Sequence, residues 1–427
     1  MKQNGKLTER TLEDNLYGRL CDIEIYDIHS HINGSHLTAR GLDDILLYHM
    51  VVSDLYSAGC PDGRRVPENP SEEERIARIR QAIPYIPYIR NTSCYYGVRL
   101  ILSGLYGWDR EITLDNWQEI DTVIAEKHKD SLNWAGDILR KVNVARVVTE
   151  YKYKTSGRSD KYLRFSLEWA FFTRSQWGQF DTALVELENA LNKPVKTICD
   201  VHEAMESYCA QIPYDEIVSI AHHFSCDITY KSVSEAEMVQ ALQNRADAGE
   251  KERDIYANYL LELYLTELEK QVNPPVLLFS LGAEPLPYET GSNLSSKTIF
   301  ELAALFERYP RLRFQLFLSS AAHNQALCTL CRALPNVYLA AYWWHNFFPE
   351  FMRRVMGERI DMLSSKKTIG FFSDAYCVDW VYAKSIIVRK NLAKVLAEKI
   401  EYGQLTEETA IEYARQTMRD WPEEFFE

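Results

Sequence analysis

Two histidines stand one residue apart in IEIYDIHSHINGSH, which covers residues 23–36. Successive side chains of a β-strand point to opposite faces, so His29 and His31 are predicted to lie on the same side. Two imidazoles on one side of a strand can hold a divalent ion such as Zn²⁺, and Asp374, in FFSDAY, is the candidate for a third ligand. The alternative is a pair of ordinary histidines on a solvated strand face.

Three protein ligands leave coordination positions open for water or for a substrate. The ion can then polarise a carbonyl or hydroxyl group, and Asp374, bound to it or beside it, can move a proton. Asp374 is therefore a candidate for the metal site and for catalysis. The histidine pair alone is a weak motif, and it becomes specific when the aspartate ends a neighbouring strand.

Eight runs rich in β-type residues predict the strands that bring these residues together. SSKTIFELAALFERYP, AAHNQALCTLCRALP and NFFPEFMRRVMGERIDMLSS predict helices between the later runs. This alternation predicts an α/β fold, a (β/α)8 TIM-type barrel with its active site at the carboxyl ends of the strands. Strands one and eight are neighbours in a closed barrel, so both histidines are expected to meet Asp374 at one rim. The runs cover residues 25–32, 144–151, 162–169, 216–224, 276–283, 313–320, 337–344 and 369–376.

Long gaps between some strands predict helical insertions into a single barrel domain of residues 1–427. Residues 36–137 are predicted to form a helical insertion between strands one and two, and residues 225–275 a second one after strand four. Residues 382–427 are predicted to form additional C-terminal helices that pack on the barrel. An independent helical domain between strands one and two is the alternative.

The composition is typical of a folded protein and argues against nucleic-acid or membrane partners. The chain has 427 residues, 46% of them hydrophobic, and a formal net charge of −13, which is unsuited to phosphate backbones. Its polar start predicts no signal peptide, and no apolar run approaches the roughly 18 residues of a membrane span. Nine cysteines, an odd number, favour reduced thiols in the cytoplasm, and Cys328 and Cys331 are expected to be buried helical thiols.

Several segments resemble those of a known family. DIHSHI near the start and SDAY near the end resemble the metal-dependent amidohydrolase superfamily, and within it the chain is similar to the uronate isomerases, also called glucuronate isomerases. LLYHM (46–50) and NTSCYYGVRLILSGLYGWD (91–109) resemble the segments that follow the first strand of that family. YLAAYWWHNFFPE (338–350) resembles its Trp-Trp segment, and SDAYCVDWVYAKSIIVRKNLAKVL (373–396) its eighth strand and following helix. The last two likenesses are the most specific.

The resemblance implies a barrel that binds one divalent metal ion through His29, His31 and Asp374. Zn²⁺ is the expected ion and Mn²⁺ is compatible with the same ligands. His223, in IAHHF, is matched to a histidine of the fourth strand, where the lysine of two-metal relatives is missing. The family moves a proton between C2 and C1 of an opened hexuronate, through an enediol, which turns an aldose into a ketose. The implied partner is a small sugar acid such as glucuronate or galacturonate, and a homo-oligomer is compatible with the likeness.

The resemblance also implies residues on the substrate side of the site. His49 matches a histidine that contacts substrate, and it is a candidate for catalysis beside Asp374. Their position at the end of strand seven makes Trp344 and His345 candidates for the substrate pocket; a helix cap or an exposed site is the alternative for His345, and core packing is the alternative for Trp344. Tyr376 is a further candidate because it follows Asp374 by two residues.

Three positions depart from the family pattern. Tyr376 replaces an arginine, and Met50 replaces a tyrosine that is implicated in proton transfer. Ser166 stands where some members have an arginine, although Arg164 lies two residues away and is a candidate for substrate binding. Methionine cannot exchange a proton, so the usual route of proton transfer is predicted to be altered.

Three functions follow from these observations. The first is aldose–ketose interconversion of a hexuronate. The alternative, favoured by the changed positions, is an amidohydrolase-type metal-dependent hydrolase that acts on a small carboxylated or sugar-derived substrate through an activated water. The third is a non-catalytic barrel that serves as a binding or scaffold protein, which the retention of both histidines and the aspartate argues against.

Overall fold

The structure, a computed structural model, describes residues 11–61, 70–155, 161–167, 180–224, 230–282, 295–318, 320–342 and 348–427, except the side chains of residues 180–183 and 223. Within these residues, eight strands form one sheet in the order β1 to β8, and each is parallel to the next. The predicted α/β fold of TIM type is confirmed. The strands are β1 (Ile25–Asp27), β2 (Val144–Glu150), β3 (Leu163–Leu167), β4 (Ser219–Phe224), β5 (Val276–Leu281), β6 (Phe314–Leu318), β7 (Val337–Ala340) and β8 (Thr368–Ile369).

The central strands are buried on both faces. Every residue of β5 (VLLFSL) and of β6 (FQLFL) is buried. A barrel strand directs alternate side chains into the barrel and toward the surrounding helices, so neither face meets water. Accordingly, Leu277 and Phe279 belong to one hydrophobic cluster, whereas Val276 and Leu278 belong to another.

β1 and β8 are shorter than the sequence predicts. The predicted strands cover residues 25–32 and 369–376, whereas β1 ends at Asp27 and β8 at Ile369. Gly370, with a φ of +76°, takes the chain out of the extended conformation directly after β8. The candidate ligands of these two runs therefore follow the strands and do not lie within them.

Backbone hydrogen bonds beyond the two short strands close the barrel. A parallel bridge joins Asp27 to Phe371, and the Ile28 N–H donates to the Phe371 C=O at 2.8 Å. In return, the Phe371 N–H donates to the Tyr26 C=O at 3.4 Å. The first and eighth strands are neighbours, as the sequence predicts.

Helices occupy the connection between β1 and β2. Their buried residues share one hydrophobic cluster with β1, β2 and the helix after β8, so we infer that they form an insertion into the barrel and not an independent domain. The described helices up to β2 are α1 (Leu12–Cys21), α2 (Leu42–Leu46), α3 (His49–Ser57), α4 (Glu72–Ala82), α5 (Ile86–Ile89), α6 (Ser93–Tyr106), α7 (Trp117–His128) and α8 (Ser131–Lys141).

The helices of the second half follow the predicted rhythm. A helix lies in each of the three segments predicted between the later strands, and two helices lie within residues 225–275. They are α9 (Phe180–Leu191), α10 (Ile198–Ala210), α11 (Glu235–Gln243), α12 (Glu250–Glu269), α13 (Ser296–Arg308), α14 (Asn324–Ala333) and α15 (Pro349–Met362). No helix among the described residues is both long and apolar enough to cross a lipid bilayer.

The C-terminal helices begin earlier than the predicted boundary at residue 382. α16 (Val378–Glu401) is followed by α17 (Glu407–Arg415) and α18 (Trp421–Phe426). Phe426 of α18 stacks on Tyr26 with 5.9 Å between ring centroids, and Phe425 meets Tyr338 at 4.5 Å. Tyr26 and Tyr338 lie near the starts of β1 and β7, so α18 covers the amino-terminal end of the barrel.

Replacement of Gly370 by alanine is expected to destabilise the barrel. A Cβ atom at this position would lie 2.4 Å from Ile28 Cγ2, and its φ of +76° disfavours L-amino acids. Left-handed strain and the clash together should lower the free energy of unfolding by about 2 kcal/mol or more in denaturant titrations. Gly18→Ala in α1, where the added Cβ has no heavy atom within 4 Å, is the control and should raise it by up to about 1 kcal/mol. Equal stabilities of the two variants would contradict this account.

Candidate metal centre

Two imidazoles and one carboxylate meet at the carboxyl ends of β1 and β8. His31 Nε2 lies 3.2 Å from Asp374 Oδ1, and His29 Nε2 lies 3.9 Å from the same oxygen. One donor atom from each of the three residues lies within 4.8 Å of the others. The structure thus brings together the three ligands that the sequence predicts, and the donor set suits one divalent ion such as Zn²⁺.

Asp374 adopts a left-handed backbone conformation, with a φ of +55°. This region costs a residue other than glycine about 1–2 kcal/mol, although aspartate adopts it more readily than most. The Asp374 N–H donates to the His29 C=O at 3.0 Å, and the His31 N–H donates to the Ala375 C=O at 2.8 Å. These bonds hold the two ligand-bearing segments side by side, so the turn directs the carboxylate toward the histidines.

Glu150, the last residue of β2, orients His31. Its Oε1 lies 2.5 Å from His31 Nδ1, and its other carboxylate oxygen forms an ion pair with Lys152. Burial opposes the charge of His31, yet hydrogen bonds to Asp374 and Glu150 raise its pKa to about 10. Burial also opposes the charge of Glu150, whose bonds to His31 and Lys152 nevertheless lower its pKa to about 2. A carboxylate behind the ring is typical of metal-binding histidines, and it leaves Nε2 facing Asp374.

Aromatic rings surround His29 and keep it neutral. Its ring meets Phe317 of β6 and Phe372 edge-to-face, with centroids 5.4 Å and 4.7 Å away. Burial, together with the nearby charge of His31, lowers the pKa of His29 to about 3. A neutral imidazole is the form that binds metal ions, which suits the predicted role of His29 as a ligand.

His49, the first residue of α3, faces the second oxygen of Asp374. Its Nε2 lies 3.7 Å from Asp374 Oδ2, and burial lowers its pKa to about 3. Asp374 therefore presents Oδ1 to His29 and His31, and Oδ2 to a neutral imidazole. The following residue, Met50, is buried and offers no exchangeable proton.

Tyr376 lies on the solvent side of this group. Its ring centroid is 5.3 Å from that of His31 and 5.2 Å from that of His49, and 41% of the residue is exposed. The aromatic ring therefore contacts both sides of the site and can meet an entering molecule. Ser166, by contrast, is fully buried on β3, where it pairs in register with Glu150.

Arg164 lies away from the other candidate residues. Its guanidinium group donates to the Leu163 C=O and to Glu427 Oε1, each at 3.1 Å. Glu427 directly follows α18, which covers the opposite end of the barrel. Because its guanidinium is engaged there, we do not include Arg164 in the proposed substrate site.

The structure does not describe several of the predicted site residues. Trp344 and His345 lie outside the described residues, and so does the side chain of His223. Their assigned roles stay predictions. His222, which precedes His223 on β4, packs between Tyr264 of α12 and Phe279 of β5, with ring centroids 5.4 Å and 5.1 Å away.

The structure adds three residues that sequence reasoning did not identify. Glu150 supports His31, while Tyr48 and Lys384 contact the backbone around Asp374. A charged residue at the end of the apolar run VARVVTEY is a signal that could have identified Glu150. Lys384 carries no such signal, because a lysine in a long helix usually faces solvent.

Known proteins share both sequence and fold with this chain. A uronate isomerase from Thermotoga sp. (strain RQ2) is 27% identical over 118 residues, which span 27% of this chain and 26% of that relative. The solved structure of uronate isomerase from Thermotoga maritima superposes with a TM-score of 0.80 at 16% identity and covers 97% of both chains. The chain is thus similar in part of its sequence to uronate isomerases and shares their fold over nearly its whole length.

A second solved uronate isomerase fold supports the same architecture. The glucuronate isomerase from Caulobacter crescentus superposes with a TM-score of 0.78 at 15% identity, and covers 97% of this chain and 93% of that one. No protein-family model matches the chain. The sequence match thus spans about a quarter of the curated uronate isomerase, whereas the fold agrees over nearly the whole length.

Replacement of Glu150 by glutamine is expected to weaken metal binding. Glutamine keeps the shape of the side chain but removes the charge that orients His31, and loss of such a partner typically costs about 10–100-fold in affinity. Zn²⁺ affinity is measured by competition with a chromophoric chelator. Glu216→Gln is the matched control, because this exposed carboxylate binds Lys154 at 2.6 Å and does not contact the three ligands. Unchanged affinity in Glu150→Gln would contradict the assigned role.

Proposed function

We propose that this chain is a metal-dependent sugar-acid isomerase that interconverts the aldose and ketose forms of a hexuronate such as glucuronate or galacturonate. The observation that supports it most is the group formed by His29, His31 and Asp374 at the carboxyl ends of the strands. This is the end at which TIM barrels carry their active sites. The relationship to uronate isomerases supplies the substrate class.

The donor set favours one bound divalent ion. His29 and His31 would hold it through Nε2 and Asp374 through Oδ1, and Zn²⁺ suits two imidazoles and a carboxylate better than Mn²⁺ does. When bound, such an ion polarises a carbonyl or hydroxyl oxygen of the substrate. Glu150 keeps the ring of His31 in the orientation that this role needs.

Asp374 and His49 are the proposed acid–base groups. Aldose–ketose interconversion removes a proton from C2 and delivers one to C1, while a hydroxyl proton passes from O2 to O1, so no oxidant or reductant is consumed. The Asp374 carboxylate can accept a proton, and the His49 imidazole lies 3.7 Å from it, within reach of a shared substrate hydroxyl. His49 is buried and the Asp374 side chain is only 14% exposed, which limits loss of protons to solvent.

Tyr376 is proposed to contact the sugar at the mouth of the site. Its ring packs beside His31 and His49 and is 41% exposed, so one face is available to the apolar side of a sugar. A phenol does not carry the charge of an arginine. We therefore expect a substrate preference that differs from that of relatives with arginine at this position.

The described cysteines are free thiols, which agrees with the proposed cytoplasmic location.

Incubation of the Zn²⁺-loaded protein with D-glucuronate and with D-galacturonate tests the function. Ketose formation, followed by a colorimetric assay and by NMR, is the expected result. His29→Ala should lower kcat/KM by more than about 100-fold, because loss of a direct ligand costs more than loss of its supporting partner. His202→Ala is the control. It removes an imidazole of α10 that is hydrogen-bonded to the Tyr259 hydroxyl at 2.8 Å, and it should leave the rate unchanged.

Absence of ketose from a metal-loaded sample would reject the isomerase assignment for these sugars. A parallel screen of lactones, esters and amides then addresses the hydrolase alternative. Turnover there that His29→Ala abolishes would assign the same metal centre to hydrolysis.

A further inference from the structure

Side chains from outside the strands hold the backbone on which Asp374 lies. Tyr48 is the residue that precedes α3, and its hydroxyl donates to the Asp374 C=O at 2.5 Å. Lys384 Nζ, from α16, donates to the Tyr48 hydroxyl at 2.9 Å and also to the Ser373 C=O. An ammonium group and a phenol thus meet two consecutive carbonyls of one turn.

The remaining polar groups of this turn are also engaged. The Ser373 N–H donates to Asp27 Oδ1 at 2.9 Å, and the Asp374 N–H donates to the His29 C=O at 3.0 Å. Every backbone donor and acceptor of Ser373 and Asp374 therefore has a partner. Because Asp374 has a φ of +55°, its conformation depends on these contacts more than an ordinary extended residue would.

Lys384 is an unusual residue for this position. It is 1% exposed in the second turn of the longest described helix, where an apolar side chain would avoid the cost of burying an ammonium group. The charge lies over the ring of Tyr48, 5.0 Å from its centroid, and that ring stacks on Trp380 at 4.4 Å. Its position is consistent with a requirement for the two hydrogen bonds it donates.

We propose that Lys384 and Tyr48 are positioning residues that hold the Asp374 carboxylate at the metal centre. The inference rests on the proposed metal centre and extends it, because both side chains act on the backbone that carries Asp374 and neither is one of the three predicted ligands. Tyr48 directly precedes His49, so the same phenol also ties the start of α3 to Asp374. Loss of the hydrogen bonds from Tyr48 and Lys384 would release the left-handed turn and move the Asp374 carboxylate away from His29 and His31.

Arg389 provides a matched control on the same helix. It is 2% exposed and donates to the carbonyls of Leu20, Val142 and Ile23. Both cations are thus buried in α16 and bind backbone carbonyls. Of these two cations, only Lys384 binds the turn that carries Asp374. Comparing variants of the two residues therefore distinguishes a loss of stability from a loss of positioning.

The test compares Tyr48→Phe, Lys384→Met and Arg389→Met in the full chain. Zn²⁺ affinity is measured by competition with a chelator, and unfolding by denaturant titration. We expect Tyr48→Phe and Lys384→Met to weaken Zn²⁺ binding by about 10–100-fold, as for other partners behind metal ligands. Arg389→Met should lower the free energy of unfolding but keep the Zn²⁺ affinity within about threefold of the wild-type value, a smaller change than the one expected for the other two variants.

Tyr48→Phe decides the matter if Lys384→Met does not fold, because phenylalanine keeps the ring stacked on Trp380. Unchanged Zn²⁺ affinity in folded Tyr48→Phe would overturn the inference while leaving the metal centre intact. An equal loss in Arg389→Met would also overturn it, because the effect would then be general destabilisation. A wild-type chain that binds no Zn²⁺ would overturn the proposed metal centre and this inference with it.

Discussion

Hydrogen bonding between the segments that follow β1 and β8 is the constraint on which the site depends. The bridge from Asp27 to Phe371 closes the sheet, and the bond from the Asp374 N–H to the His29 C=O continues that pairing past the ends of the strands. Residues 345 positions apart in sequence, such as His29 and Asp374, meet only because the barrel closes here. The fold therefore supplies proximity, and the turn at Asp374 supplies direction.

Burial determines the protonation states that the site offers. The protein interior disfavours charge, which lowers the pKa of His29 and of His49 to about 3 each. His31 differs, because the carboxylates of Asp374 and Glu150 flank it and raise its pKa to about 10. A cation bound at His31 Nε2 would meet the Asp374 carboxylate, while Glu150 stays on Nδ1 at the other side of the ring, so the electrostatics that favour protonated His31 also favour a metal ion. The site is thus built for positive charge between its ligands.

The sequence predicted the scaffold well and the support of the site poorly. Apolar runs located the eight strands, and the histidine pair with Asp374 identified the three residues that meet. β1 and β8 are shorter than predicted: after β8, Gly370 takes the chain out of the extended conformation, at a place where Ile28 leaves no room for a Cβ atom. The support by Glu150 depends on the register between strands. Lys384 could not be recognised either, because helical periodicity gives no sign that a lysine is buried beside a carbonyl.

Anomalous diffraction at the zinc absorption edge, from crystals grown with Zn²⁺, would show whether His29, His31 and Asp374 bind one metal ion. We expect one peak per chain, bounded by His29 Nε2, His31 Nε2 and Asp374 Oδ1, at about 2.0–2.2 Å from each ligand atom. A peak elsewhere with these three residues unliganded, or no peak in crystals soaked with excess Zn²⁺, would contradict this expectation.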